Sequence, residues 1–436
     1  MSFGELLPDL RTSLPGPRST ELGVRLSRVE SRNITRIDAG GPLFWSEAAG
    51  ANVRDADGNI LIDLTGGFGV SAAGHANPRV AEAVGRQAAR LTHGLGDVHP
   101  PVVKVELLER LTALTPGDLG HAILSANGGD AVESALKTAA LATGRPGVIA
   151  FRDGYHGLGY GALAVTWSPR FREPFRRQLY PGVRFAPFPE AGGDDQSSAE
   201  SLLAVRTEAE ASRQGEHPVG AVIVEPVQGR GGVKVPTSDF LPGLRDLCDE
   251  LDLVLILDEV YTGLGRTGRW FACEHWDVIP DLLVLGKALA GGLPLSATLG
   301  RAALMEAWPP SDGEAIHTST FLGNPVACAA ALAHLDEIEG LGLVERADRL
   351  GRRIGQRLDE WAHQGRVSSH RGLGLMRAVV PAGGEHAAVA VASSALHAGV
   401  IVLTEGDALA LTPPLVITEA QLDHALGVIE ANLPTA

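Results

Sequence analysis

The sequence predicts an α/β protein, with a large domain built on a mostly parallel sheet and a smaller α+β domain behind it. Three observations carry this. Between residues 121 and 286 short apolar runs alternate with helical stretches, the pattern of parallel strands joined by crossover helices. The runs LVLILD and LLVLG are apolar on successive residues rather than alternate ones, as strands buried on both faces must be. After Pro325 the pattern changes to long helices interrupted by short β-like runs, and 436 residues suit two or three domains.

Taken in order, the first forty residues are rich in Pro, Gly and Arg, show no sustained period and read as an arm. Residues 52–63, NVRDADGNILID, hold a DG turn between two apolar runs, a hairpin signal. A glycine-dense segment, 64–75, follows, and its Phe68 is a candidate substrate contact. Helices are expected over 78–91 and 101–114, each with proline opening its first turn. Strands are expected at 121–125, 147–151, 221–225, 253–258 and 281–286. Beyond Pro325 come an Ala-rich helix, a charged helix over 344–363, the runs LMRAVV and VIVLT with a helix between them, and a last helix over 419–433. The expected division is 1–70 as arm and hairpin adding to the small domain, 71–325 as the large domain, and 326–436 as the small α+β domain.

Composition narrows the partners. A net charge of −15 disfavours nucleic acid and anionic lipid, both of which call for a basic surface. No stretch approaches the roughly 20 apolar residues that span a bilayer, and MSFGELLPDLR lacks a basic start and an apolar core, so a cytoplasmic protein is expected. The three cysteines have no CxxC spacing, so neither a disulfide framework nor a structural metal site is expected.

In an open parallel sheet, ligands sit beyond the carboxyl ends of the strands. Three of the expected strand ends carry ionisable groups: Glu225 closes AVIVE, Asp258 closes LVLILD with Glu259 behind it, and Lys287 follows LLVLG. Buried charge is costly unless it is paired or meets a ligand. The chain has four lysines. Lys137 follows Glu133 by four residues on a helix, Lys104 lies on another helix face, and Lys234 lies in a loop between valines. Lys287 alone joins a buried strand end to a following glycine pair, Gly291 and Gly292. Gly128 and Gly129, in SANGGDAVESALK, run from a strand into a helix and would present first-turn amides to an anion. No GK[ST] or GxGxxG accompanies them, which points to a small phosphate-bearing cofactor rather than a nucleotide. Tyr155 and His156 follow a strand within FRDGYHG, where a ring can stack on a planar ligand. A lysine for an imine, a carboxylate for a ring nitrogen, an aromatic face and amides for one phosphate together describe pyridoxal 5'-phosphate.

The blocks NVRDADGNILIDLTGG, GHANPRV, NGGDAVESALK, YHG, VEPVQG, LDEVYTGLGRTG, LGKALAGGLPLSA, HTSTFLGNP and RGLGLM occur in the order found in one family. From about Asn52 onward the chain resembles the class III, or ω, aminotransferases of fold type I. The resemblance implies a mostly parallel seven-stranded sheet in the large domain. It implies the Schiff base at Lys287, the pyridine-nitrogen contact at Asp258, phosphate contacts from Gly128 and Gly129, and ring faces covered by Tyr155 and Val260. His156, Glu225 and Tyr261 complete the implied cofactor set. Thr320, in HTSTF, resembles a threonine that reaches the phosphate from the neighbouring subunit, implying a homodimer with shared active sites. Arg371, in RGLGLM, resembles an arginine that grips a substrate carboxylate. The implied reaction moves an amino group from an ω-amino acid of the 4-aminobutyrate or ornithine kind, or another amine, to a keto acid such as 2-oxoglutarate. A racemase or aminomutase on the same scaffold is the alternative, and a binding protein that has lost catalysis is a third reading.

Three positions depart from the pattern of the ornithine and 4-aminobutyrate enzymes. Arg230 in EPVQGR stands where a glutamate would shield the carboxylate-binding arginine. Leu158 stands where an arginine follows the aromatic-x-Gly turn, and Tyr261 replaces a glutamine. Arg230 is therefore expected to bind the distal carboxylate of an acidic acceptor.

Overall fold

The computed structural model describes residues 2–37, 41–189, 195–313 and 315–435. Its large sheet has seven strands: β1 His121–Ser125, β2 Gly147–Phe151, β3 Val183–Ala186, β4 Val219–Val224, β5 Val254–Asp258, β6 Leu282–Leu285 and β7 Ser296–Gly300. Their order across the sheet is β1-β7-β6-β5-β4-β2-β3. Six run parallel, and β7 lies antiparallel between β1 and β6, pairing Ser296 with Ser125 and Ala297 with Leu285. Every residue of β4, β5 and β6 is buried, because helices cover both faces. The register sets Asp258 opposite Val284, so the carboxyl ends of β5 and β6 open at the same edge.

The five strands expected from apolar runs are all present. The two additional ones lacked that signal. β3 is the edge strand VRFA, only partly buried. β7 reads SATLG, and its buried hydroxyls look like loop chemistry until their partners are seen: Ser296 Oγ donates to the Asn127 carbonyl at 2.7 Å, and Thr298 Oγ1 to that of Ala131 at 2.7 Å.

Two further sheets flank this one. Trp45–Ala49, Asn52–Asp55 and Ile60–Asp63 form an antiparallel ribbon that includes the expected hairpin. Val400–Ile401 joins it in parallel, Val400 opposite Ile62. Val367–Leu373, Met376–Pro381, Ala408–Leu411 and Leu403–Glu405 form the other sheet. The helices at Pro325–Gly340 and Gly384–His397 stand where helices were expected, and Leu343–His363 and Glu419–Asn432 lie within a residue of the ranges expected for them. Helix Pro78–Arg90 begins on proline with Asn77 as its cap, whereas Pro101 is itself the cap residue of Val102–Leu114, with extended backbone at ψ 147°. Among the described residues no helix is long and apolar enough to cross a membrane.

The arm is not structureless. Pro17–Leu26 is helical, and its first turn is capped by a residue 39 positions away. Asp57, in the hairpin turn, accepts from the N–H of Arg18 at 2.7 Å and of Ser19 at 2.9 Å, and from Ser19 Oγ at 2.7 Å. A cap supplied by tertiary contact leaves no trace in local sequence, and this is why the helix was not expected. Partial burial works against the Asp57 charge, but these hydrogen bonds hold its carboxyl below the ordinary range. Asp57→Ala should cost about 1 kcal/mol, as loss of a helix cap does, read as a lower urea midpoint at pH 7. Because the folded pKa is depressed, the difference should vanish as pH falls below the ordinary carboxylate range; an unchanged midpoint at pH 7 would refute the cap.

Candidate active site

The sheet edge at the ends of β5 and β6 opens into a cavity of about 310 Å³. Around it stand Gly128, Gly129, Tyr155, His156, Glu225, Arg230, Asp258, Val260, Tyr261 and Lys287. Residues expected from five separate segments thus share one wall.

Asp258 ends β5 and is buried. Its Oδ1 accepts from the N–H of Val260 at 3.0 Å, and Oδ2 lies 2.7 Å from His156 Nδ1. Burial disfavours a charged His156, but the hydrogen bond and charge of Asp258, helped by Glu225, outweigh it and hold the imidazole above its usual pKa. His156 Nε2 is buried without a partner among the described residues.

Glu225 follows β4. Its two oxygens take the N–H of Tyr155 and of Gly229, each at 2.9 Å, so it pins both loops that border the cavity. Burial, reinforced by the Asp258 charge, pushes its pKa up to about 7. Glu259, next to Asp258, points the other way, as alternate strand residues must. Its carboxylate is satisfied by the N–H of Ala272 at 2.6 Å, that of Cys273 at 2.8 Å and the Thr262 hydroxyl at 2.8 Å. One of two adjacent acids serves the pocket and the other serves the core.

Lys287 follows β6 through Gly286 and opens a short 3₁₀ turn with φ at 41°, a left-handed backbone that is strained for a residue with a Cβ. Its Nζ sits 3.4 Å from the centre of the Tyr261 ring. Burial pushes the amine down to about 8, against the opposing pull of Glu225 and Asp258. The other three lysines are engaged elsewhere: Lys104 with the Gly96 carbonyl, Lys137 with His317, and Lys234 with Asp153. Lys137 forms no ion pair with Glu133 four residues before it, and Glu133 turns instead to the N–H of Gly161.

Gly128 and Gly129 begin helix Gly128–Thr143, whose cap Asn127 accepts from the N–H of Asp130. Side chains would fill the space here: a Cβ on Gly128 would come within 3.0 Å of Val260, and one on Gly157 within 2.8 Å of Gly129. Tyr261 is wedged between Gly69 and Gly229, where a Cβ on either would stand 2.4 Å from its ring, and its hydroxyl donates to Thr412 Oγ1 at 3.1 Å.

A second cavity, of about 550 Å³, shares Tyr155 and Arg230 with the first and adds Phe171, Arg371 and Glu405. Arg371 Nε donates to the Gly232 carbonyl at 2.8 Å. The Arg230 guanidinium lies 4.8 Å from the centre of the Tyr155 ring, and its Nε is 4.0 Å from Glu405. Glu405 was missed from sequence, where one acid before a glycine in VIVLTEGD carries no signal. Leu158, half exposed, borders the first cavity. Phe68 and Thr320 are exposed and line neither cavity within this chain.

A strand-end amine beside a buried carboxylate–imidazole pair, with a glycine cradle at a helix N-terminus too tight for side chains, fits pyridoxal phosphate. Comparisons with known proteins agree. The family described as aminotransferase class-III matches residues 36–433. The acetylornithine aminotransferase of Methanopyrus kandleri is 41% identical over 88% of this chain and 93% of its own. The 4-aminobutyrate aminotransferase of Mycobacterium leprae is 38% identical over 99% of each chain. Among solved structures, a thermostable (S)-enantioselective ω-transaminase from Thermomicrobium roseum superposes with a TM-score of 0.88 at 29% identity, over 95% of this chain and 98% of that one. The chain therefore belongs to the class III aminotransferases, pyridoxal-phosphate-dependent transferases of fold type I.

Proposed function

We propose that the chain moves an amino group from an ω-amino acid or related amine to 2-oxoglutarate, with Lys287 as the residue that carries the chemistry. The supporting observation is the placement of this one lysine at the floor of the pocket, desolvated to a pKa of about 8, on the same edge as the Asp258–His156 pair. When bound, pyridoxal phosphate supplies an aldehyde carbon and an electron-withdrawing ring. In this reading Asp258 holds the ring nitrogen, Tyr155 and Val260 cover the faces, and the amides of Gly128 and Gly129 meet the phosphate. Near neutral pH part of the Lys287 amine is unprotonated, so Nζ can take the proton from the amine-bearing carbon of the donor. Donors offered with 2-oxoglutarate should yield glutamate, and a panel producing none from any amine would overturn the assignment.

Arg230 and Arg371 face the outer cavity, and in this reading they receive the distal and proximal carboxylates of the acceptor. A charged hydrogen bond contributes about 1.5–3 kcal/mol. Arg230→Ala should therefore raise the KM for 2-oxoglutarate on the order of tenfold or more while leaving that for pyruvate nearly unchanged; equal losses for both acceptors would exclude a role in choosing between them.

The same reading makes the molecule a homodimer in which the exposed Thr320 and Phe68 complete the neighbour's pocket, and a monomer in sedimentation equilibrium would overturn it. Residues 1–70 would travel with the small domain, 326–436, around a cofactor-binding body, 71–325. Three free, buried cysteines suit a reducing cytoplasm.

A further inference from the structure

Among the described residues the Lys287 amine forms neither a hydrogen bond nor an ion pair. The contact it makes is with the face of the Tyr261 ring, 3.4 Å from Nζ to the ring centre. The acids that attract it, Glu225, Asp258 and Glu405, act from beyond ion-pair distance, and the Arg230 charge opposes them. An ammonium over an aromatic face is held more strongly when desolvated, because no water competes for the charge.

The surroundings of Tyr261 leave it little choice but to present that face. A glycine backbone stands against each long edge of the ring: a Cβ on Gly69 would lie 2.4 Å from Cε2, and one on Gly229 2.4 Å from Cδ1. Gly69 also holds a φ of 79°, so the position calls for glycine twice over. The phenol proton goes to Thr412 Oγ1 at 3.1 Å, and that hydroxyl donates in turn to the Thr65 carbonyl at 3.2 Å. Burial raises the pKa of the phenol, so the ring stays neutral. With its edges gripped and its hydroxyl tied, the ring cannot tilt away from the amine.

We propose that Tyr261 is a positioning residue for proton transfer, its face receiving Lys287 Nζ as an ammonium once the amine has taken the proton from the donor carbon. In that step the C–H bond breaks, its proton forms a new N–H bond on Nζ, and the electron pair is left to the cofactor ring. Nζ thereby gains a positive charge at a point where no carboxylate pairs with it. A carboxylate there could take the proton for itself, whereas an aromatic face stabilises the charge and leaves the proton on Nζ for return. The proposal rests on Lys287 being the reacting amine.

The test reads the amine directly, in the full chain stripped of cofactor, from the pH dependence of Lys287 carbamylation by cyanate, followed by peptide mass spectrometry. Glu225, Asp258 with its partner His156, Arg230 and Glu405 face the amine in every variant alike, so their pull cancels in the comparison. Tyr261→Leu keeps an apolar side chain but removes the face, and the Lys287 pKa should fall from about 8 by about one unit. Tyr261→Phe, which loses only the hydroxyl, should restore the wild-type amine, and Thr412→Val should leave it unmoved. A measurement without substitution uses lysine labelled at Cε: with four lysines in the chain, the Lys287 signal should stand apart, shifted upfield by the ring beneath it. In the holoenzyme the donor half-reaction, followed in a single turnover, should slow on the order of tenfold in Tyr261→Leu. Its deuterium isotope effect at the amine-bearing carbon should rise, and Tyr261→Phe should recover most of the rate. An amine pKa unmoved in Tyr261→Leu or lowered equally in Tyr261→Phe, or an ordinary chemical shift at Lys287, would overturn the proposal. A pKa that falls as expected, in an enzyme whose turnover survives Lys287→Ala, would keep the contact and overturn the reading of Lys287 instead.

Discussion

Lys287→Ala will fold as the parent does and lose turnover entirely. In the proposed reading, two functions leave with the amine. One is covalent attachment of pyridoxal phosphate, and the other is proton transfer at the donor carbon, worth about 10²–10⁴-fold by itself. The variant should lose its visible absorption band and release the cofactor on gel filtration, where wild type retains it. Stability should be unchanged or higher, because the substitution removes a desolvated amine. The left-handed backbone at φ 41° remains strained with alanine, and Lys287→Gly should relieve it and melt higher still. The sign of the pH effect also follows. Burial holds the amine near 8, and the neutral form is the nucleophile. Reattachment of pyridoxal phosphate to stripped wild-type protein should therefore quicken as pH rises through about 8 and level off above it. Undiminished turnover, or a cofactor still covalently held by Lys287→Ala, would remove Lys287 from the centre of the site.

Asp258→Asn should come second in effect, with turnover lower on the order of 10²–10³-fold, the usual cost of deleting one preorganised electrostatic partner. Shape is preserved, since the amide oxygen can still accept from the N–H of Val260. What disappears is a negative charge 2.7 Å from His156 Nδ1. Asp258 is the main influence raising that imidazole against burial, so in the variant His156 should titrate well below wild type, as its NMR chemical shifts would show. The melting temperature should shift only slightly. Full activity in Asp258→Asn, or an unmoved His156, would show that the pair is structural.

Much of the site was legible in the chain because strand ends are legible. A buried parallel strand announces itself by unbroken apolar residues, and the rule that ligands lie beyond carboxyl ends then selects Glu225, Asp258 and Lys287 without coordinates. Sequence alone does not reveal which way neighbouring side chains turn. Asp258 and Glu259 read alike, and only the pleat separates the pocket carboxylate from the one that binds Ala272 and Cys273. Nor does it reveal contacts between distant segments: Glu405 meets Arg230 across the two sheets, Asp57 caps a helix 39 positions upstream, and β7 hides its hydroxyls against the helix beneath it. In each case a polar residue looks like loop until its partner is known. Arg266, within the GLGRTG motif, is similar. Buried, it donates to the carbonyls of Leu375 and Pro413, fastening the loop after β5 to the C-terminal segments.

The parallel pairing of Val400–Ile401 with Ile60–Asp63 bears on how the protein is made. The hairpin emerges from the ribosome early, yet the strand that flanks it lies more than 300 residues later, and the Gln421 side chain that ties down the carbonyls of Gly4 and Leu6 is later still. At roughly 5–20 residues per second of synthesis, the N-terminal ribbon waits on the order of half a minute with one edge bare. Throughout that interval the large sheet can assemble around its own helices, so nascent chains should acquire protease resistance in the middle of the sequence before its beginning.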